Sequence, residues 1–278
     1  YTNTSVEDIV QQTKSLIKHI RTFDPFFSVV SPIVTPGFAP VISFDGMSAL
    51  AKLAKAENLT MQTHLSENLE EIEIIAQQYP ESPSYTHTLD KAGVLTPKTI
   101  LGHCVHLSDQ ERELIAERGA GVSHCPSSNL NLSSGECNVR KLLNMGINVG
   151  LGCDCSGGHT ASALENMRRA SDVSRAIAYQ HDSRSTLEIH ELLYMATLGG
   201  AQVCGIDKKV GSFAVGKEFD AVLYDATADL DRGAGSIRLR EGEEAFDTLQ
   251  KVLFCADDRH INKVFVHGIA RVDKDLEH

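Results

Sequence analysis

The chain has 278 residues, 42% apolar and 23% charged, with 21 Gly and 8 Pro. That is the composition of a folded globular protein of one or two domains, and it excludes disordered, collagen-like and disulfide-scaffold classes. The net charge is −11, with Lys and Arg scattered rather than gathered in a stripe, so no nucleic-acid partner is expected and a small, neutral or cationic ligand fits better. The longest apolar runs, such as Phe26–Val30 interrupted at Ser28, fall far short of the roughly 20 residues needed to cross a bilayer, so no membrane partner is expected. Seven Cys with no CxxC pair read as reduced thiols of a cytoplasmic protein.

In chain order, a leading helix is predicted over Val6–Arg21, capped at Ser5 with acids in its first turn. Short β-type runs then alternate with helical patterns. The runs are Phe27–Val34, Leu59–His64, Thr99–Val105, Ala120–Cys125 and Ile147–Cys153. The helices following them are Asp45–Glu57, Glu67–Gln78, Asp109–Arg118, Cys137–Met145 and Ser162–Tyr179. About five βα units of this kind imply a parallel sheet wrapped by helices. A further helix, Leu187–Thr197, is expected to stop at Gly199-Gly200. Beyond it, Val210–Asp225 and Lys263–Val272 read as strands of a small β domain, separated by a polar, Gly-rich Ala228–Glu244. Leu276-Glu277-His278 reads as the start of a vector-encoded tag.

In a parallel α/β barrel, functional side chains gather where strands end, because those ends open on one face. Four polar residues close the predicted runs: His64, His103, His124 and Asp154. His64, His103 and Asp154 form the nitrogen and oxygen donor set of a catalytic Zn2+ site. Glu67, three residues after His64, falls in the first turn of the next helix, where it can move protons or simply complement the helix dipole. His124 is expected to support the ligands from behind, and the polar segment Pro126–Gly135 to form a substrate wall or a solvated loop. Cys153 and Cys155 flank Asp154 and should face away from it if the strand continues. The Gly-rich turn after Asp154 permits close backbone approach.

The segments His64-Leu-Ser-Glu67, Gly102-His103-Cys104, Ser123-His124-Cys-Pro-Ser-Ser-Asn129 and Gly150-Leu-Gly-Cys-Asp154 together resemble the amidohydrolase superfamily. Within it, Pro32–Pro40, Gln62–Asn68, Thr197–Gln202 and Asp257-Asp-Arg259 resemble the guanine deaminase family, in order along nearly the whole chain. The resemblance implies a partial (β/α)8 (TIM) barrel of the metal-dependent hydrolase type with part of a small β-sandwich domain. The barrel portion would occupy residues 1–205, the β domain 206–275 and the tag remnant 276–278. It also implies Zn2+ held by His64, His103 and Asp154, with Glu67 and Asp154 carrying protons. A purine would be bound by Phe38, Gly37 and His64, and metal-activated hydroxide would convert guanine to xanthine and ammonia in a cytoplasmic homodimer.

Two departures stand out. No His-x-His pair, which supplies two further ligands in the family, occurs in the chain, and Gly37 stands where the family's Thr-Pro-Arg-Phe pattern carries Arg. The βα units then correspond to the last five of eight, and the chain alone is expected to be a poor enzyme. The alternatives are action on another heterocycle, of pterin or triazine type, and an inactive binding or scaffold remnant.

Overall fold

The computed structural model describes residues 5–226 and 237–275. The tag remnant and residues 228–236 of the polar stretch lie outside them. Strands β1 (Ile33–Val34), β2 (Thr60–Leu65), β3 (Thr99–His103), β4 (Gly121–His124) and β5 (Val149–Leu151) form one parallel sheet in that order. Each strand is followed by helix: α2 (Phe44–Glu57), α3 (Leu69–Gln78) with α4 (Tyr85–Lys91), α5 (Asp109–Arg118), α6 (Pro126–Asn131) with α7 (Val139–Asn144), and α8 (Ala163–Gln180). Helix α1 (Val6–Phe23) precedes them and packs on α2. This is an α/β fold, a partial (β/α)8 barrel, and among the described residues β1 and β5 remain its unclosed edges.

Alternation along the strands sorts the side chains. Met61, Leu65, Leu101, Val122 and Val149 are buried and join Leu50, Leu89, Ile115 and Leu142 of the helical layer in one core. Gln62, His64, Ile100, Gly102 and Ser123 occupy the other face, which is only partly covered. A closed barrel would bury both faces. The half-open face is therefore where the chemistry is accessible.

Local signals account for most boundaries. Ser5 accepts the Asp8 amide at 3.1 Å and starts α1, and Ser108 with Glu111 forms a full capping box on α5. Three expectations need correction. Of Phe27–Val34 only the last two residues are strand: the Asp24 carboxylate accepts the amides of Ser28, Val29 and Val30, and Phe27 lies at φ 51°, so the chain turns instead of extending. The helix expected to stop at Gly199-Gly200 continues, as α9 (Ile189–Tyr194), a π-helical turn over Met195–Gly199, and α10 (Gly200–Val203). The two glycines serve close packing: a Cβ on Gly199 would stand 2.7 Å from the Val149 carbonyl, and one on Gly150 2.8 Å from Gly200 Cα. Finally, Glu67 precedes its helix, since Asn68 is the N-cap of α3.

The late strands β6 (Ala221–Tyr224), β7 (Ile261–Val266) and β8 (Ile269–Asp273) form a separate antiparallel sheet in that order. Of Val210–Asp225 only β6 is strand, and an unforeseen helix, α11 (Ala245–Cys255), precedes β7. Arg168 of α8 donates to the carbonyls of Leu253, at 2.8 Å, and Ala256, tying α11 to the main layer. No helix among the described residues is long and apolar enough to cross a membrane.

Candidate active site

The C-terminal ends of the five strands open on a cavity of about 570 Å3, lined by Gly37, Phe38, His64, His103 and Asp154 among others. Five of the expected site residues thus share one concavity. A sixth, Glu67, joins through its carboxylate: one donor atom each from His64, Glu67 and His103 lies within 4.8 Å of the others. The His64 and His103 rings meet edge to face at 4.9 Å, and Phe38 tilts over His64 with centroids 5.8 Å apart. Asp154 is outside this three-residue group, although it lines the same cavity.

The backbone is unusual where these side chains project. Ser66, His103, Cys104 and Asp154 all have positive φ, between 49° and 69°, a conformation that costs a non-glycine residue of order 1–3 kcal/mol and is held only by its surroundings. Those surroundings come largely from one segment. Asn129 Oδ1 lies 2.9 Å from His103 Nδ1, Ser128 Oγ donates to Asp154 Oδ2 at 2.6 Å, and Ser134 Oγ donates to Glu67 Oε1 at 3.0 Å. The Pro126–Gly135 segment, expected to be a substrate wall or a solvated loop, carries α6, is buried from Pro126 to Asn129, and braces these side chains. Pro126 at the first helical position was the available signal for that short helix.

Asn129 Oδ1 is only an acceptor, so His103 Nδ1 carries the proton and Nε2 is left facing Glu67 Oε2 at 3.6 Å. At that distance the two atoms do not hydrogen-bond directly, and both can donate to a cation set between them. A cation satisfies that arrangement. Burial, and after it the neighbouring His103, push the His64 imidazole below its ordinary range against the opposing pull of Glu67 and Asp154. The neutral form favoured there is the form that ligates metal. The residues present therefore fit a metal ion.

His124 is fully enclosed, and neither ring nitrogen has a hydrogen-bond partner among the described residues. Its pKa is pushed down to about 3 by burial, with His103 adding to the effect. Cys155 lines the cavity beside Asp154 rather than facing away, because β5 ends at Leu151 and the chain turns at Asp154. The glycines after it are sterically required: a Cβ on Gly157 would collide with Asp154 Oδ2, and one on Gly158 with the Cys153 carbonyl. His106 Nε2 lies 2.7 Å from the Ser134 carbonyl and His159 Nδ1 2.9 Å from Ser127 Oγ.

A parallel barrel whose strand ends present His, Glu and His around one point defines a class, and the chain belongs to it: residues 4–270 match the amidohydrolase family. Its relatives narrow the class. The chain is 44% identical over 269 residues to a probable guanine deaminase of Schizosaccharomyces pombe, covering 96% of this chain and 50% of that protein. It is 38% identical over 267 residues to the guanine deaminase of Homo sapiens, covering 95% and 58% respectively. A crystal structure of guanine deaminase from C. acetobutylicum with guanine in its active site superposes with a TM-score of 0.82 at 35% identity, over 94% of this chain and 59% of that one. The chain thus spans about half to three-fifths of the length of these relatives.

Proposed function

We propose that this chain carries the metal-binding and proton-handling half of a zinc-dependent deaminase that hydrolyses guanine to xanthine and ammonia. The observation that carries the reading is the convergence of His64, Glu67 and His103 on one point under the Phe38 ring. Support comes from relatives described as guanine deaminases and from the guanine-bound neighbour.

His64 and His103 would hold the ion, with Asp154 added when the site is loaded. Bound zinc supplies a water that ionises near neutral pH. Phe38 offers its face to a planar purine and excludes water from one side of it. Glu67, fixed at Oε1 by Ser134, turns Oε2 toward His103 at the edge of the ion site, where it would deliver a proton to a ring nitrogen as the exocyclic amine departs. Asp154 accepts from Ser128 at Oδ2, which leaves Oδ1 to take the proton of the attacking water. Residues 1–205 and 206–275 are proposed as the barrel and small-domain portions, in a homodimer of the cytoplasm.

Gly37 favours a second substrate reading. Only Val41 Cγ2, at 3.7 Å, comes within 4 Å of where a side chain would begin, so the cavity is open beside Phe38 and admits a bulkier heterocycle. A substrate panel tests both. Zinc-loaded chain should release ammonia from guanine, slowly for want of the His-x-His pair, lose that activity in Glu67→Gln, and prefer guanine to pterins and triazines. Reversal of that preference favours the second reading, and no turnover with any of them removes both.

A further inference from the structure

Phe38 is a single aromatic ring on a short irregular segment, and the backbone on both sides of it is bonded to the strand that carries His64. Gly37, at φ 77°, turns the chain so that its carbonyl accepts from Thr63 Oγ1 at 2.7 Å. On the other side the Ala39 amide donates to Tyr85 Oη at 3.2 Å, and that same hydroxyl, which also pairs with the buried Glu71 carboxylate, lies 3.4 Å from the His64 carbonyl. Thr63 and Tyr85 are buried, 4% and 2% exposed, so neither bond competes with bulk water. Thr63 and His64 are consecutive on β2. Both clamps therefore refer the ring wall to one point of the strand.

We propose that Thr63 and Tyr85 are positioning residues that fix Phe38 against β2 and so set where its ring stands at the edge of the cavity beside His64, as the wall against which a planar heterocycle lies. The proposal rests on the purine reading above for the identity of the heterocycle. The clamp itself stands on hydrogen bonds already described. It makes Thr63 and Tyr85 determinants of ring binding, distinct from the residues that hold metal or move protons. Sequence patterns give no hint of it, because α4, which brings Tyr85 in, is seven residues long and was not foreseen.

The test uses Thr63→Val, Thr63→Ser and Tyr85→Phe, with equilibrium dialysis of guanine, competition titration of zinc, and amide exchange of Ala39. Loss of one buried hydrogen bond on either side should weaken guanine binding by about fivefold or more. Thr63→Ser, which keeps the hydroxyl, should stay within about twofold of the unaltered chain, a rescue that general loosening of the fold would not produce. Zinc affinity should be unchanged in all three. Tyr85→Phe should accelerate Ala39 exchange by about tenfold or more, because its acceptor is gone. Guanine affinity and Ala39 exchange that stay at the unaltered values overturn the proposal. So does a loss of zinc affinity as large as the loss of guanine affinity, since the residues would then act on His64. If the unaltered chain binds no guanine, the purine reading falls by itself, while the Ala39 exchange rates still decide whether the clamp exists.

Discussion

Replacing Asn129 with alanine removes the one acceptor that holds the His103 ring. Both residues are 1% exposed, and the Asn129 Oδ1 to His103 Nδ1 distance is 2.9 Å. The variant leaves a buried Nδ1 proton without a partner, at a cost of about 1–3 kcal/mol. Part of this is offset, because the lost amide also removes an Nδ2 that has no partner among the described residues. The backbone carbonyl of Asn129, which accepts from Ser134, is untouched, and alanine suits α6. At about 2–4 °C per kcal/mol for a chain near this size, the melting temperature should fall by about 2–10 °C. The larger consequence concerns metal. Without Oδ1 the ring can rotate or shift its proton to Nε2, the atom that faces Glu67, so zinc affinity measured by chelator competition should drop about 10–100-fold. Asn129→Asp keeps an acceptor at the same place and should hold zinc affinity within about threefold of the unaltered chain. Zinc affinity in Asn129→Ala within twofold of the unaltered chain would refute the view that this side chain sets the His103 tautomer.

Three further expectations concern the frame around the site. Burial pushes the Glu191 carboxyl up, but two hydrogen bonds of 2.6 Å from Arg140 outweigh it and hold its pKa below the ordinary 4.5. A carboxylate depressed in the folded state contributes stability above the unfolded value and loses it as pH falls. Glu191→Gln should therefore melt lower than the unaltered chain at neutral pH, with the gap closing below pH 4.5; a gap that is constant with pH argues against the pairing. Burial raises the Cys125 and Cys137 thiols to about 11 and about 12, and raises Cys104 as well, whereas Cys155, Cys204 and Cys255 are exposed. A thiol reagent at mildly alkaline pH should label the exposed three first and the buried three only on unfolding; rapid labelling of Cys104 contradicts the packing. Gly150→Ala places a methyl 2.8 Å from Gly200 Cα and should destabilise by about 1–3 kcal/mol in a denaturant melt, while unchanged stability would mean that α10 does not sit on β5 as described.

Much of the site was legible from strand ends. His64, His103 and Asp154 close predicted β runs, and the rule that barrel chemistry gathers there located them without any view of the fold. Caps were equally readable at Ser5 and Ser108, where the local pattern and the structure agree. What escaped the sequence depended on contacts between distant segments. The Asp24 carboxylate turns a β-prone run by binding three amides. Gly199 and Gly200, read as a helix stop, lie within continuing helix, where a Cβ on Gly199 would meet the Val149 carbonyl of β5 and Gly200 Cα lies against Gly150. Within the Pro126–Gly135 segment Ser128, Asn129 and Ser134 reach inward to Asp154, His103 and Glu67, while residues 130–133 are exposed to solvent. Asp154 and the two histidines were grouped as ligands from their donor types and their places at strand ends. The structure joins Glu67 to the histidines and leaves Asp154 beside them on Ser128.

The account turns on whether His64, Glu67 and His103 surround a cation. The most direct measurement is the zinc content of the purified chain after dialysis against excess metal and removal of the free ion, compared with a His64→Ala/His103→Ala variant shown by circular dichroism to be folded. About one zinc per chain in the unaltered protein and close to none in the variant is the expected result. A metal-free unaltered chain, or a variant that binds zinc as well as its parent, would contradict it.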